Sequence, residues 1–210
     1  KRASLVIVES SVAPGTSRNL ILPLLTKSGL QVSKDFFLAY SPERINPGKN
    51  KFDIKNTPKI VSGNDKYALK LAKTFYQKFV KVVVPVSSLE VAEMTKVLEN
   101  TFRLVNISFI NEMATFTNII GIDIWEVISA ASTKPYGFLA HWPGPGAGGE
   151  CIPILPYYLL ESAKKQKVNL KLTEAATKVN ELRPRKVAEK AISLINGKIN
   201  PKALIVGIAY

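Results

Sequence analysis

The stretch from Ser87 to Gly121 constrains this chain most, because more than thirty residues pass without a proline or glycine before Gly121 is reached. Ser87-Ser88-Leu89-Glu90 opens the run with a serine three residues ahead of a glutamate, the capping-box signature of a helix start. A helix of about thirty residues is long for a globular domain and predicts a spine or a dimer interface. It also divides the chain into two textures. Before it, β-rich runs at 5–8, 36–40, 59–62 and 80–84 alternate with helix-like stretches at 16–25 and 65–79, an α/β pattern that predicts a parallel sheet. After it the pattern is helical, with helices expected at 124–131, 155–166, 170–183 and 185–195, and a buried strand at 202–210.

Composition narrows the class. One cysteine in 210 residues forms no internal disulfide, which points to a reducing compartment. No apolar run approaches the ~20 residues of a spanning helix, and Glu9 interrupts the opening apolar run too early for a signal peptide. The expectation is a soluble cytoplasmic protein with no membrane partner. A net charge of +13 favours anionic partners in general. The excess lies mainly in 161–202, spread over helix-like sequence as a solvated face. Without interleaved aromatics or a recognition motif, nucleic acid is not expected as a partner. Both ends read as cut: the first strand lacks a preceding glycine-rich βα turn, and the last has no sheet to join. The chain therefore reads as a fragment of a longer enzyme.

Cys151 sits in Pro143-Gly144-Pro145-Gly146-Ala147-Gly148-Gly149-Glu150-Cys151-Ile152-Pro153. A lone cysteine is commonly a small buried hydrophobe, but glycines and prolines make a poor core element and a good ligand-approaching loop. The setting predicts a reacting thiol. On the long helix, Lys96 and Asn100 lie one turn apart on one face, with Arg103 continuing the stripe. They form either an exposed polar face or, beside a thiol, a site for charge developing on a substrate oxygen. Ser41-Pro42-Glu43-Arg44-Ile45-Asn46-Pro47-Gly48 follows a strand, which puts Glu43 at the carboxyl end of the sheet, either as a proton acceptor or as a surface turn residue. Glu9-Ser10-Ser11-Val12-Ala13-Pro14-Gly15-Thr16 leads a strand into a helix, and its hydroxyls either cap that helix or bind phosphate or water. His141 is the only histidine, so no zinc site is expected.

Together with Met94–Arg103, Val105-Asn106-Ile107, Asn111-Glu112 and 121–135, these segments resemble the nucleotide-sugar 6-dehydrogenase family, which includes UDP-glucose dehydrogenase. The likeness runs along essentially the whole chain and is strongest to the branch acting on UDP-N-acetylhexosamines. The resemblance implies the second half of an NAD-binding Rossmann domain at 1–86. It implies a central helical domain at 87–200 with a long dimerising helix, and the first strand of a nucleotide-sugar-binding domain at 201–210. It further implies NAD as cofactor, a UDP-sugar as substrate and a homodimer formed through the helix at 87–119. The implied reaction is a two-stage oxidation of the sugar's primary alcohol to a carboxylate. In it Cys151 matches the nucleophile, Lys96 and Asn100 the oxyanion-stabilising pair, and Glu43 the general base of thioester hydrolysis. Ser11 falls where a threonine holds water, so Ser11 and Glu43 are the cofactor-side candidates. Arg44, Ile45, Asn46, Phe138, Leu139 and Gly148, with Lys96 and Asn100, fall in substrate-lining segments.

The pattern departs from the family at two positions. Leu155 replaces an aspartate credited with assisting deprotonation, and Glu150 replaces a histidine beside the thiol. A neighbouring carboxylate disfavours a thiolate, and loss of acid–base assistance typically slows chemistry ~10²–10⁴-fold. The alternative expectation is therefore an impaired or truncated relative that retains nucleotide-sugar binding or dimerisation.

Overall fold

The structure is a computed structural model describing residues 4–45 and 53–206. Its backbone divides into two compact units, Lys1–Glu99 and Asn100–Tyr210, so the long helix contributes to both.

The first unit is built on a four-stranded sheet in the order β1 (Ser4–Val8), β2 (Phe36–Tyr40), β3 (Lys59–Gly63), β4 (Val83–Pro85). β2 is buried on both faces at Phe36, Leu38, Ala39 and Tyr40, which is why its sequence is a continuous apolar run rather than an alternation. β1 pairs with β2 in parallel and β3 with β4 in parallel, whereas β2 and β3 run antiparallel. The expected parallel sheet is thus mixed. Antiparallel pairing of Tyr40 with Ser62 places Lys59, the first residue of β3, beyond the carboxyl end of β2.

Between β1 and β2 the expected helix opens as a π-helical turn, Ser17–Ile21, and continues as α1 (Leu22–Thr26). α2 (Lys66–Tyr76) joins β3 to β4. Its start is fixed by the Asp65 carboxylate, which accepts from the Tyr67 and Ala68 amides at 2.8 Å each. Ala68, Ala72 and Tyr76, four residues apart, bury one face. Gly63 admits this helix: a Cβ there would lie 2.2 Å from the Leu69 amide nitrogen. The fourth strand is three residues long rather than the five expected at 80–84, since Val80 packs under Tyr76 instead.

The long helix, α3, runs Leu89–Ile119. Its cap is Ser88, not Ser87: the Ser88 hydroxyl accepts from the Val91 amide at 3.2 Å, while Glu90 turns to Arg18 at 2.5 Å. The second unit adds α4 (Ile124–Ala131), α5 (Leu155–Lys165) and α6 (Lys171–Ile195). Ile110, Ile124 and Ile128 form a core between α3 and α4, and the Ser108 hydroxyl donates to the Ala176 carbonyl at 2.7 Å, tying α3 to α6. The two helices expected on either side of Pro184 are one, with Pro184 inside it. A proline costs its own amide and crowds the preceding turn, and here packing holds the helix through it. The strand expected at 202–210 is absent from 201–206, where Leu204, Ile205 and Val206 are exposed; residues 207–210 lie outside the described residues. A strand needs a neighbour to satisfy its backbone, and the described residues offer none.

Candidate functional site

The register of the sheet gathers the first cluster. Val8 pairs with Tyr40, so Ser11 and Glu43, each three residues further on, leave the sheet from the same carboxyl edge. The antiparallel reversal then brings Lys59, the first residue of β3, to that edge. Lys59 is buried, and its ammonium contacts Glu9 at 2.8 Å and Glu43 at 3.2 Å. The ammonium also stands 5.2 Å from the centre of the Tyr76 ring, whose hydroxyl donates to Glu9 at 2.7 Å. Glu43 additionally accepts from the amides of Arg44 and Ile45 at 2.7 Å each. Partial burial alone would raise the Glu43 pKa. The Ile45 amide, the Lys59 charge and the Arg44 amide outweigh it and hold the carboxyl below the usual glutamate range.

The loop after β1 does not offer the phosphate site that its hydroxyls and helix start suggest. Glu93 of α3, fully buried, fills the position an anion would take, accepting from the Gly15 amide at 2.5 Å and the Ser17 amide at 2.8 Å. Gly15 adopts φ +89, which aims its amide at that carboxylate. Nor does the Thr16 side chain cap the helix, because its hydroxyl turns back to the Ala13 carbonyl at 2.6 Å. This helix start is therefore closed to an external phosphate.

Arg44 is committed within its own unit, reaching Glu99 at 2.7 Å and the Pro58 carbonyl at 2.9 Å. Ile45 is half-buried, and Asn46 lies outside the described residues. On α3 the Lys96 stripe is uneven: Lys96 is half-buried, Asn100 is 5% exposed and Arg103 is exposed. Among the described residues the Asn100 side-chain nitrogen has no hydrogen-bond partner, an arrangement that favours an incoming acceptor.

In the second unit Cys151 is exposed and outside any disulfide. The loop before it is held by side chains the sequence did not single out as site residues. Asn111 on α3 accepts from the Gly144 amide at 2.9 Å, and Arg183 on α6 donates to the Gly144 carbonyl at 2.8 Å. Asn180 accepts from the Ala147 amide at 2.7 Å and donates to the Ala147 carbonyl at 3.3 Å. After the thiol, the Cys151 carbonyl accepts from the Leu155 amide at 3.0 Å as α5 begins. Leu155 itself is buried at 1% exposure. Gly148 is exposed.

Phe138 and Leu139 line a cavity of about 150 Å³ with Asn106, Phe109 and His141. His141 is turned to the Leu139 carbonyl at 2.9 Å. A larger cavity, about 960 Å³, lies beside α4 and α6 and includes Gly144, Arg183 and Trp125, but none of the candidate catalytic, cofactor-side or substrate-side residues. Among the described residues no cluster of three or more His, Cys, Asp or Glu side chains could hold a metal. Among them, too, no helix is long and apolar enough to cross a membrane.

Residues 1–80 match the NAD binding domain of the UDP-glucose/GDP-mannose dehydrogenase family, and residues 90–182 match its central domain. The UDP-N-acetyl-D-mannosamine dehydrogenase of Pyrococcus horikoshii is 36% identical over 213 residues, covering 100% of this chain and 50% of that protein. A UDP-N-acetyl-D-glucosamine 6-dehydrogenase of Pseudomonas aeruginosa is 39% identical over 183 residues, covering 86% and 43%. The solved structure of the Pyrococcus enzyme superposes with a TM-score of 0.83, covering 93% of this chain and 46% of that one at 36% identity. The chain spans about half the length of the curated relatives it matches.

Proposed function

Because this chain belongs to the UDP-glucose/GDP-mannose dehydrogenase family, we propose that it is the thiol-bearing part of an NAD-dependent nucleotide-sugar dehydrogenase. Its substrate in this reading is a UDP-N-acetylhexosamine or UDP-glucose, oxidised at the 6-hydroxyl to the carboxylate. The substrate class follows the relatives named for UDP-N-acetyl-D-mannosamine and UDP-N-acetyl-D-glucosamine. One observation carries the reading: the chain's single thiol is exposed on a loop whose backbone is fixed on both flanks.

Bound NAD⁺ would supply the hydride acceptor for each of two oxidations, with Ser11 and Glu43 on its side of the site. Cys151 attacks the aldehyde carbon as the thiolate, forming a carbon–sulfur bond and placing negative charge on the former carbonyl oxygen. Lys96 and Asn100 are the groups that meet this charge, the amide of Asn100 with a donor to spare. Loss of hydride from the thiohemiacetal leaves a thioester. Water then adds to its carbonyl, the carbon–sulfur bond breaks and Cys151 leaves as thiolate. Glu43 is the acceptor for the water's proton; its hydrogen bonds keep it ionised through the neutral range and also limit its basicity. Gly148, Phe138 and Leu139, together with Arg44, Ile45 and Asn46, are the sugar-side candidates. Dimerisation through α3 is supported by exposed Leu98, Phe102, Phe109 and Phe116, which recur at four and seven residues along it.

The natural full-length protein, given UDP-N-acetylglucosamine and NAD⁺, should release two NADH per sugar by absorbance, and Cys151→Ser should stop short of the acid. A second reading, an impaired relative retaining binding or assembly, is favoured by buried Leu155 at the family's aspartate position. A wild type silent on all UDP-sugars tried, yet binding one of them by calorimetry, would replace the first reading with the second.

A further inference from the structure

We propose that one turn of α6, Asn180 to Arg183, is a positioning element for Cys151, with Asn180 as its central residue. Three side chains of this turn reach both flanks of the thiol loop. Asn180 takes the amide and the carbonyl of Ala147 together, and Arg183 takes the Gly144 carbonyl. Glu181 accepts from the Tyr157 hydroxyl at the start of α5, the helix that begins four residues after the cysteine.

The fit is tight where it has to be. Gly146, at φ +120, passes so close that a Cβ would stand 3.3 Å from the Asn180 side-chain oxygen and 3.5 Å from its carbonyl. Pro184 has no amide to donate to that Asn180 carbonyl, which therefore lacks its usual intrahelical donor. Arg183 also donates to the Asn111 carbonyl and the Thr115 hydroxyl, both at 3.3 Å, so its guanidinium pins α6 to α3 beneath the loop. Among the described residues its bonded partners are neutral oxygens, and burial lowers its pKa. Between the anchors at Ala147 and Leu155, the exposed Gly148, Glu150 and Cys151 are carried on a span too short to wander. A reacting atom must be held to a fraction of an ångström for productive attack, and side chains locked on helices give that precision to a loop.

The catalytic meaning rests on Cys151 being the nucleophile; the positioning does not, and the two can be separated. The single cysteine allows one fluorinated thiol label per chain, read by ¹⁹F NMR alongside amide exchange of the ¹⁵N-labelled 210-residue protein. Asn180→Ala should speed exchange of the Ala147 amide about fivefold, the equivalent of one net hydrogen bond, and should narrow the label's resonance as the loop loosens. Asn180→Asp retains the acceptor for Ala147, so that amide should stay protected while the label narrows partially. Arg185→Ala, on the same helix and in an exposed ion pair with Glu189, should change neither. In the natural full-length protein Asn180→Asp should lower kcat and leave KM unchanged. A label resonance identical in wild type, Asn180→Ala and Asn180→Asp overturns the proposal. If Asn180→Ala does not fold, Asn180→Asp decides alone by the same criterion. A wild type without dehydrogenase activity would remove the proposed reaction and leave the label experiment to decide the positioning.

Discussion

Glu93 is the most consequential carboxylate for folding of the first unit, and its replacement has a calculable cost. It is fully buried and receives two backbone amides, Gly15 and Ser17, from a segment 76 to 78 residues away in sequence. Glu93→Ala strips both amides of their acceptor. Each buried unsatisfied donor costs about 1–3 kcal/mol, so the pair should cost about 2–6 kcal/mol, with the cavity adding to it. Glu93→Gln preserves volume and one acceptor oxygen but turns an NH₂ toward the second amide, and should cost about half as much. Urea unfolding followed by circular dichroism reads both through the transition midpoint, provided the slope is unchanged. The two variants should rank Ala below Gln below wild type. A loss under about 1 kcal/mol for Glu93→Ala would refute the reasoning, because it would mean that solvent replaces the carboxylate at no cost.

Gly63→Ala should be among the most damaging single-methyl changes, since the added carbon meets α2 backbone at 2.2 Å; overpacking of this kind costs about 1–3 kcal/mol or more, and an unchanged melting temperature would refute the close approach. Lys59→Met keeps the stem but leaves Glu9 and Glu43 facing each other without a cation, so stability should fall at neutral pH and recover partly on acidification. The sign follows from linkage: the depressed folded pKa of Glu43 contributes stability present above its unfolded pKa and lost as pH falls through the folded one. A shallower acid-side slope in Lys59→Met, seen by unfolding between neutral and acid pH, is the check. Leu155→Asp places a carboxylate where the side chain is 1% exposed; it should cost at least about 2 kcal/mol at neutral pH, measured by thermal melting, and a neutral effect would mean that the site opens to solvent.

How much was legible in the sequence differs between the two units for a physical reason. Helix α4 and strand β2 begin and end where composition places them, because Asp123 caps one and a continuous apolar run defines the other. The exposed thiol, the turn-spaced Lys96 and Asn100, and the family likeness all reside in local strings of residues. Asn180 and Arg183 gave no such signal, and Asn111 counted only within the family likeness. An asparagine within a helix pattern reads the same whether its amide faces water or closes on a loop 33 residues away. The only clue was Pro184, which was read as a break between helices and instead lies within one.

By itself the sequence determined most of the elements, the α/β-then-helical order and the identity of the reacting-thiol candidate, since periodicity, capping residues and glycine-proline loops act over a few residues. Tertiary structure decided what those elements are used for. The antiparallel direction of β3 against β2 is what brings Lys59 to Glu9 and Glu43. The occupant of the helix start at Gly15 was likewise fixed by packing, which delivers Glu93 from α3 in place of an external anion. Backbone groups must be satisfied once buried, and which distant side chain satisfies them is a property of the folded chain, not of any short stretch within it.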